Sequence, residues 1–192
     1  MPTTIQAQLD VSALNESSRP MAPKILGATD AQRQRGGRLA AIHAIHLSDM
    51  ARVRALSLRI DNDAAARILL AQAVDDLAMF NNIKTFGAMC GRECTNLLFH
   101  HQGEEQQIFP ALAAHAGTGF RGVLAKLKAE HLVIHEMISD LSDQAGQVMT
   151  LPSPKSYAAL REALSRLDAA LKSHFGYEKT ELKEVLGVLH IL

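Results

Sequence analysis

Between Phe99 and Pro110 the chain reads "FHHQGEEQQIFP", two histidines and then, one helical turn on, two glutamates. Imidazole and carboxylate four residues apart on a helix share one face. Together they are donors that hold a hard or borderline metal cation. "EHLVIH" sets His131 and His135 four apart, "HFGYE" does the same for His174 and Glu178, and "IHAIHLSDM" adds His43 and His46. Periodicity alone does not choose between neighbours. His100 and Glu104 continue a row with Leu97 and Ile108, yet His101 fits a row through Cys90, Cys94 and Leu97. On the first segment His46 is preferred, because its row runs on into Met50 and Val53, whereas the row of His43 soon meets Arg54.

The elements that must position these residues are helices. From Arg35 onward Ala, Leu, Arg and Glu dominate and β-branched alternation is scarce, which favours helix throughout. Apolar stripes at helical spacing predict four long helices. They cover Gly37 to Ile60 (ending at "DND"), Ile83 to His115, Phe120 to Val148, and a last one after "LPSP", where Ser153 is a cap and Pro154 suits the first turn. A shorter helix, "AAARILLAQAVDDLAMF", falls between the first two. The expected fold is all-α: an up-down antiparallel four-helix bundle over residues 35–192, with an extra short helix between the first and second long helices. Residues 1–34, rich in Ser, Pro, Thr and Ala, are expected to form a mobile extension.

Counting to the turns levels the polar residues. Glu104 lies thirteen residues before Gly117 and His131 fourteen after it, while His135 lies eighteen before Ser153 and His174 twenty-one after it. At 1.5 Å rise per residue, antiparallel helices bring these to one height. His46, His100, Glu104, His131, His135, His174 and Glu178 would then form one layer in a Leu-rich interior. Burying unpaired carboxylates costs several kcal/mol each, about the scale that a bound cation removes. Seven donors exceed the four of a closed zinc site. They suit two metals sharing two carboxylates, with a coordination position left open. Oxygen and imidazole without thiolate favour iron or manganese, with zinc as the alternative.

Composition narrows the rest. The 192 residues carry twenty Lys+Arg against twenty Asp+Glu, so no overall field draws the chain to nucleic acid or an anionic membrane. No apolar run approaches the roughly 18 residues of a bilayer span. The first thirty residues lack a basic start and a continuous apolar block, so a secretory signal is not expected and a cytoplasmic location is. Cys90 and Cys94 read as small half-buried residues, and His115 and His190 as helix-end residues that complement the dipole. Met50, Met79, Met89 and Met137 read as core fillers, while Tyr177 and Glu181 neighbour the last motif.

The lone histidine of the first helix, "HHQGEEQQIFP", "EHLVIH" and "HFGYE", in this order and each on its own helix, resemble the hemerythrin-like family over roughly residues 37–190. The resemblance turns His100 and Glu104 inward, because Phe109 and Pro110 follow Glu104 by five and six residues, and it leaves His101 and Glu105 on the flank. It implies one iron on His131, His135 and His174 and a second on His46 and His100. Glu104 and Glu178 would bridge them alongside an oxo or hydroxo group. By the same resemblance the protein is a non-haem di-iron protein binding O2 or NO. Its roles would be oxygen or nitric-oxide sensing, iron handling, or the oxidative and nitrosative stress response. A di-iron oxidoreductase breaking down peroxide and a metal-free helical interaction module are the competing readings. The sequence names no protein partner.

Overall fold

The computed structural model describes residues 10–69 and 92–191. Helix α1 is Asp30–Gly36 and α2 is Arg38–Leu69. Helix α3 spans residues 92–115, with a π turn at Glu104–Ile108 leading into a regular segment, Phe109–His115. Helices α4, Arg121–Thr150, and α5, Pro154–Leu189, complete the set. Among the described residues there is no strand. Helix α5 begins as its sequence predicts: Ser153 and Ser156 close a capping box, and Pro154 occupies the first turn, where its missing N–H costs nothing.

Helix α2 does not stop at Asp61-Asn62-Asp63. It continues to Leu69 and takes in the first residues of the segment expected as a separate short helix. Asp and Asn lower helix propensity by only about 0.7 kcal/mol each, and no Pro or Gly interrupts the run. The remainder of that segment and the start of the second long helix, with Met79, Ile83, Phe86, Met89 and Cys90, lie outside the described residues.

Side-chain pairs set the packing. His46 meets Glu93 and His43 meets Glu104 between α2 and α3. His101 meets His135 and Glu105 meets His131 between α3 and α4. Glu130 pairs with His174 and Asp140 with Arg166 between α4 and α5, while His43 reaches Glu178 and Arg54 reaches Asp168 between α2 and α5. In every case residue numbers climb along one helix as they fall along the other, so these neighbours are antiparallel. The apolar core divides in two. Met50, Val53, Leu97, Ile134, Leu141, Leu164 and Leu171 fill one end; Leu39, Phe109, Leu112, Leu127, Leu182 and Leu186 fill the other. Met137 is buried with the first group and Cys94 lies beside it. The histidines and glutamates occupy the level between them.

Residues 10–34, expected to form a mobile extension, are laid along the bundle. Lys126 Nζ donates to Ser18 Oγ at 2.6 Å, the Tyr177 hydroxyl donates to the Pro20 carbonyl at 2.7 Å, and the Glu181 carboxylate accepts the Ala22 N–H. Helix α1 then crosses the end of α5 with backbone against backbone. A Cβ at Gly187 would sit 1.9 Å from the Gln32 carbonyl oxygen, and one at Gly36 1.7 Å from that of Lys183. Gly187→Ala is therefore expected to lower the melting temperature, with a loss of roughly 1–3 kcal/mol from overpacking. Gly146→Ala is the control, since nothing lies within 4 Å of a Cβ there. It should raise the melting temperature through helix propensity alone, and thermal denaturation followed by circular dichroism checks both.

Candidate metal centre

The site begins with the irregular turn in α3. Pro110 has no N–H, and in a regular helix its ring would collide with the carbonyl of Gln106. The wider π turn relieves this, with the Phe109 N–H donating to the Glu104 carbonyl. Residues five apart then share a face, so Glu104 and Phe109 both point inward, each 1% exposed. One turn earlier His100 and His101, about 100° apart around the helix, face different neighbours. The His100 ring lies 5.0 Å from that of His43 on α2, while His101 stacks on His131 of α4 at 4.0 Å.

Two groups of donors result: His43, His100 and Glu104, and His101, His131 and His174, the ligand atoms of each lying within 4.8 Å of one another. Both carboxylates sit between the groups. Glu104 Oε1 is 3.2 Å from His100 Nε2 and 3.6 Å from His43 Nε2, while its Oε2 is 3.4 Å from His131 Nε2. Glu178 Oε2 is 3.3 Å from His43 Nε2 and 3.8 Å from His174 Nε2. Neither carboxylate has a hydrogen-bond partner, nor do the inward Nε2 atoms of His43, His100, His101, His131 and His174. So many orphaned buried groups are untenable in an apolar interior. They fit two adjacent cations, which would take every one of those atoms as a donor.

An outer layer aims the rings. His131 Nδ1 donates to Glu105 at 2.8 Å and His174 Nδ1 to Glu130 at 2.9 Å, while His101 Nδ1 lies 3.0 Å from His135 Nε2. A proton held at Nδ1 leaves the Nε2 lone pair facing the interior.

Residues 39–186 match the hemerythrin HHE cation binding domain. The chain belongs to that family. No curated protein and no solved structure matches it. The family is one of cation-binding domains, and the buried His/Glu layer contains two groups of side chains that could hold a metal ion. Among the described residues no helix is long and apolar enough to cross a membrane.

Of the sequence-predicted residues, His100, Glu104, His131, His174 and Glu178 come together. His46 and His135 fall outside the two groups of donors. His46 Nδ1 donates to the buried Glu93 at 2.7 Å with its ring 4.9 Å from that of His100, while His43, its ring stacked on Phe175 at 4.0 Å, meets both carboxylates. His135 is half-buried and bonds His101, which was expected on the flank and is fully buried. The row Cys94, Leu97, His101, all buried, was the available signal for His101. Glu105 and Glu130, each beside a histidine or glutamate of a motif, went unassigned as orienting groups.

Burial, and then neighbouring imidazoles, push His43 and His131 down to about 2 and His100 to about 3. The same causes hold His101 well below its ordinary value, and burial lowers His135. These rings are therefore neutral, the form that binds metal. Burial followed by the Glu178 charge raises Glu104, and burial raises Glu178 to about 7. The pH dependence of the metal-free protein follows. Below about 6.5 an unfolded chain protonates imidazoles that the folded one keeps neutral, so stability falls as pH drops. Above about 4.5 the unfolded chain ionises two carboxyls that the folded one resists, so stability also falls as pH rises. Between pH 5 and 6.5 the five lowered imidazoles outweigh the two carboxyls. Above neutrality only the carboxyls still act. The melting temperature of the metal-free protein should therefore peak near pH 7 and fall steeply toward pH 5, as calorimetry across that range would show.

Proposed function

We propose that this HHE domain is a non-haem di-iron protein, an up-down four-helix bundle that binds a small diatomic ligand, O2 or NO. The observation that carries the reading is the pair of unpartnered carboxylates, Glu104 and Glu178, each within 4 Å of imidazole nitrogens from both groups. His43 and His100 would hold one ion, His101, His131 and His174 the other, and the two carboxylates both. This set replaces His46 and His135 of the sequence expectation with His43 and His101. The bound metals would supply the electrons and the open coordination position that a diatomic ligand requires.

The chain's own residues do the rest. Glu105, Glu130 and His135 hold the ring orientations. Phe175 against His43 and Phe109, 5.7 Å from the ring of His131, exclude water. A cavity of about 510 Å³ lined by Leu39, Ile42, Phe99 and Ala111 reaches His100 and Glu104, on the side with fewer imidazoles. Its apolar wall suits an uncharged gas. Ala111→Trp should slow ligand arrival several-fold in stopped-flow measurements while the iron content stays at the wild-type value. The balanced charge and absence of a spanning helix among the described residues support a cytoplasmic protein acting away from nucleic acid and membrane. Sensing, iron handling and stress defence all use such chemistry.

The test is the visible spectrum of the anaerobically ferrous-loaded protein before and after O2 or NO. A band that appears with the gas and leaves with it supports the reading. Oxygen evolution from added peroxide, abolished by Glu104→Ala, would favour an oxidoreductase instead. A chain that takes up no iron would be a helical interaction module.

A further inference from the structure

Arg19 precedes α1 and lies outside residues 39–186, the stretch that matches the family. Its side chain is 9% exposed. Nε donates to Glu130 Oε1 at 2.8 Å, Nη2 to Glu130 Oε2 at 3.1 Å, and Nη1 to Ser173 Oγ at 2.9 Å. The guanidinium also lies 4.8 Å from the centre of the Tyr177 ring, whose hydroxyl bonds the carbonyl of Pro20, next in sequence to Arg19. Glu130 is fully buried, and the oxygen that meets Nη2 also accepts the proton of His174 Nδ1. A chain of three side chains thus runs from the N-terminal segment to a nitrogen aimed into the metal centre.

We propose that Arg19 is a positioning residue of the metal centre: its two-pronged grip on Glu130 fixes the tautomer and direction of His174. The proposal rests on the cation-binding reading of the His/Glu layer. A carboxylate held by one hydrogen bond can rotate about its side chain, and His174 would rotate with it. The planar fork of Arg fixes the carboxylate plane, and packing on an aromatic ring fixes the fork. Glu105, the corresponding partner of His131, is 36% exposed. His174 is accordingly the donor whose outer carboxylate is most completely enclosed, and part of that enclosure comes from beyond the family-matched residues.

The metal-free 192-residue protein titrated with Co2+ tests this, with affinity read by chelator competition and geometry by the visible d–d bands. Glu130→Gln should weaken Co2+ binding by about 10- to 100-fold, the usual scale for losing an outer-layer partner of a ligand. Arg19→Met should weaken it by less and move the bands in the same direction. The double variant should lose no more than Glu130→Gln alone, because Arg19 acts through Glu130. Arg19→Lys, which keeps the charge but offers one prong, should fall between Arg19→Met and wild type, and it carries the test if Arg19→Met does not fold. Lys126→Ala, which frees Ser18 without touching Glu130, should leave bands and affinity unchanged. Additive losses in the double variant, or wild-type bands in both Arg19 variants, would show that Arg19 only anchors the segment. If the wild-type protein takes up no Co2+, the cation-binding reading falls and this proposal falls with it.

Discussion

Glu104→Leu is expected to leave the protein unable to retain iron while making the metal-free form more stable. Glu104 is 1% exposed and neither oxygen has a hydrogen-bond partner. Burial and the adjacent Glu178 already raise its pKa strongly. Leucine has a similar volume and needs no partner. Replacing buried ionic groups by apolar ones is commonly stabilising by about 1–4 kcal/mol. In a domain of this size each kcal/mol moves the melting temperature by roughly 2–4 °C. The loss of metal has the opposite sign and is larger. Glu104 touches His43 and His100 through one oxygen and His131 through the other, so on the proposed reading its removal takes a donor from both ions. The affinity loss should exceed the roughly 10- to 100-fold typical of an outer-layer substitution. Iron content after dialysis and melting curves of the stripped proteins measure the two effects. A metal-free Glu104→Leu protein that melts below wild type would mean that the carboxylate is satisfied without a cation.

The second large effect separates neighbouring histidines. On the proposed di-iron reading, His43→Ala and His101→Ala should each lower iron uptake by one ion per chain, because each removes an inward imidazole from a different group. His46→Ala and His135→Ala should keep both ions. Their penalty is elsewhere: Glu93, 3% exposed in the intact protein, loses its bond to His46, a loss of about 1–3 kcal/mol in stability. Without His135, the proton on His101 loses its anchor and iron binding weakens without disappearing. Elemental analysis of the four variants, with their melting temperatures, distinguishes the two sets. If His46→Ala loses an iron and His43→Ala does not, the assignment on α2 is reversed.

The four long stripes, the capped start of α5 and the polar level midway along the bundle were legible in the chain, because helical period and distance from a turn are local quantities. Glu104 over Glu105 was legible through Phe109 and Pro110, and the π turn supplies the physical reason for that spacing. The choice between His43 and His46 was not. Three residues apart they are only about 60° apart around a helix, and both fall on the buried arc, at 3% and 8% exposure. What distinguishes them is contact with other helices, His43 with Glu104 and Glu178 and His46 with Glu93. His101 was passed over because α3 has two buried flanks, one against α2 and one against α4, whereas a single stripe allows for one. The Arg19 clamp was illegible for a simpler reason: 111 residues separate it from Glu130, and no periodicity links a segment outside the helices to a side chain within one.

On the proposed reading the buried imidazoles and carboxylates exist to hold two cations. Anaerobic titration of the metal-free protein with ferrous iron, followed by calorimetry, tests it most directly. Saturation at two ions per chain and a marked rise in melting temperature are expected, since a ligand that binds only the folded state stabilises it by about 4 kcal/mol at a thousandfold excess over its Kd. Saturation at one ion, or no uptake with an unchanged melting temperature, would contradict the reading.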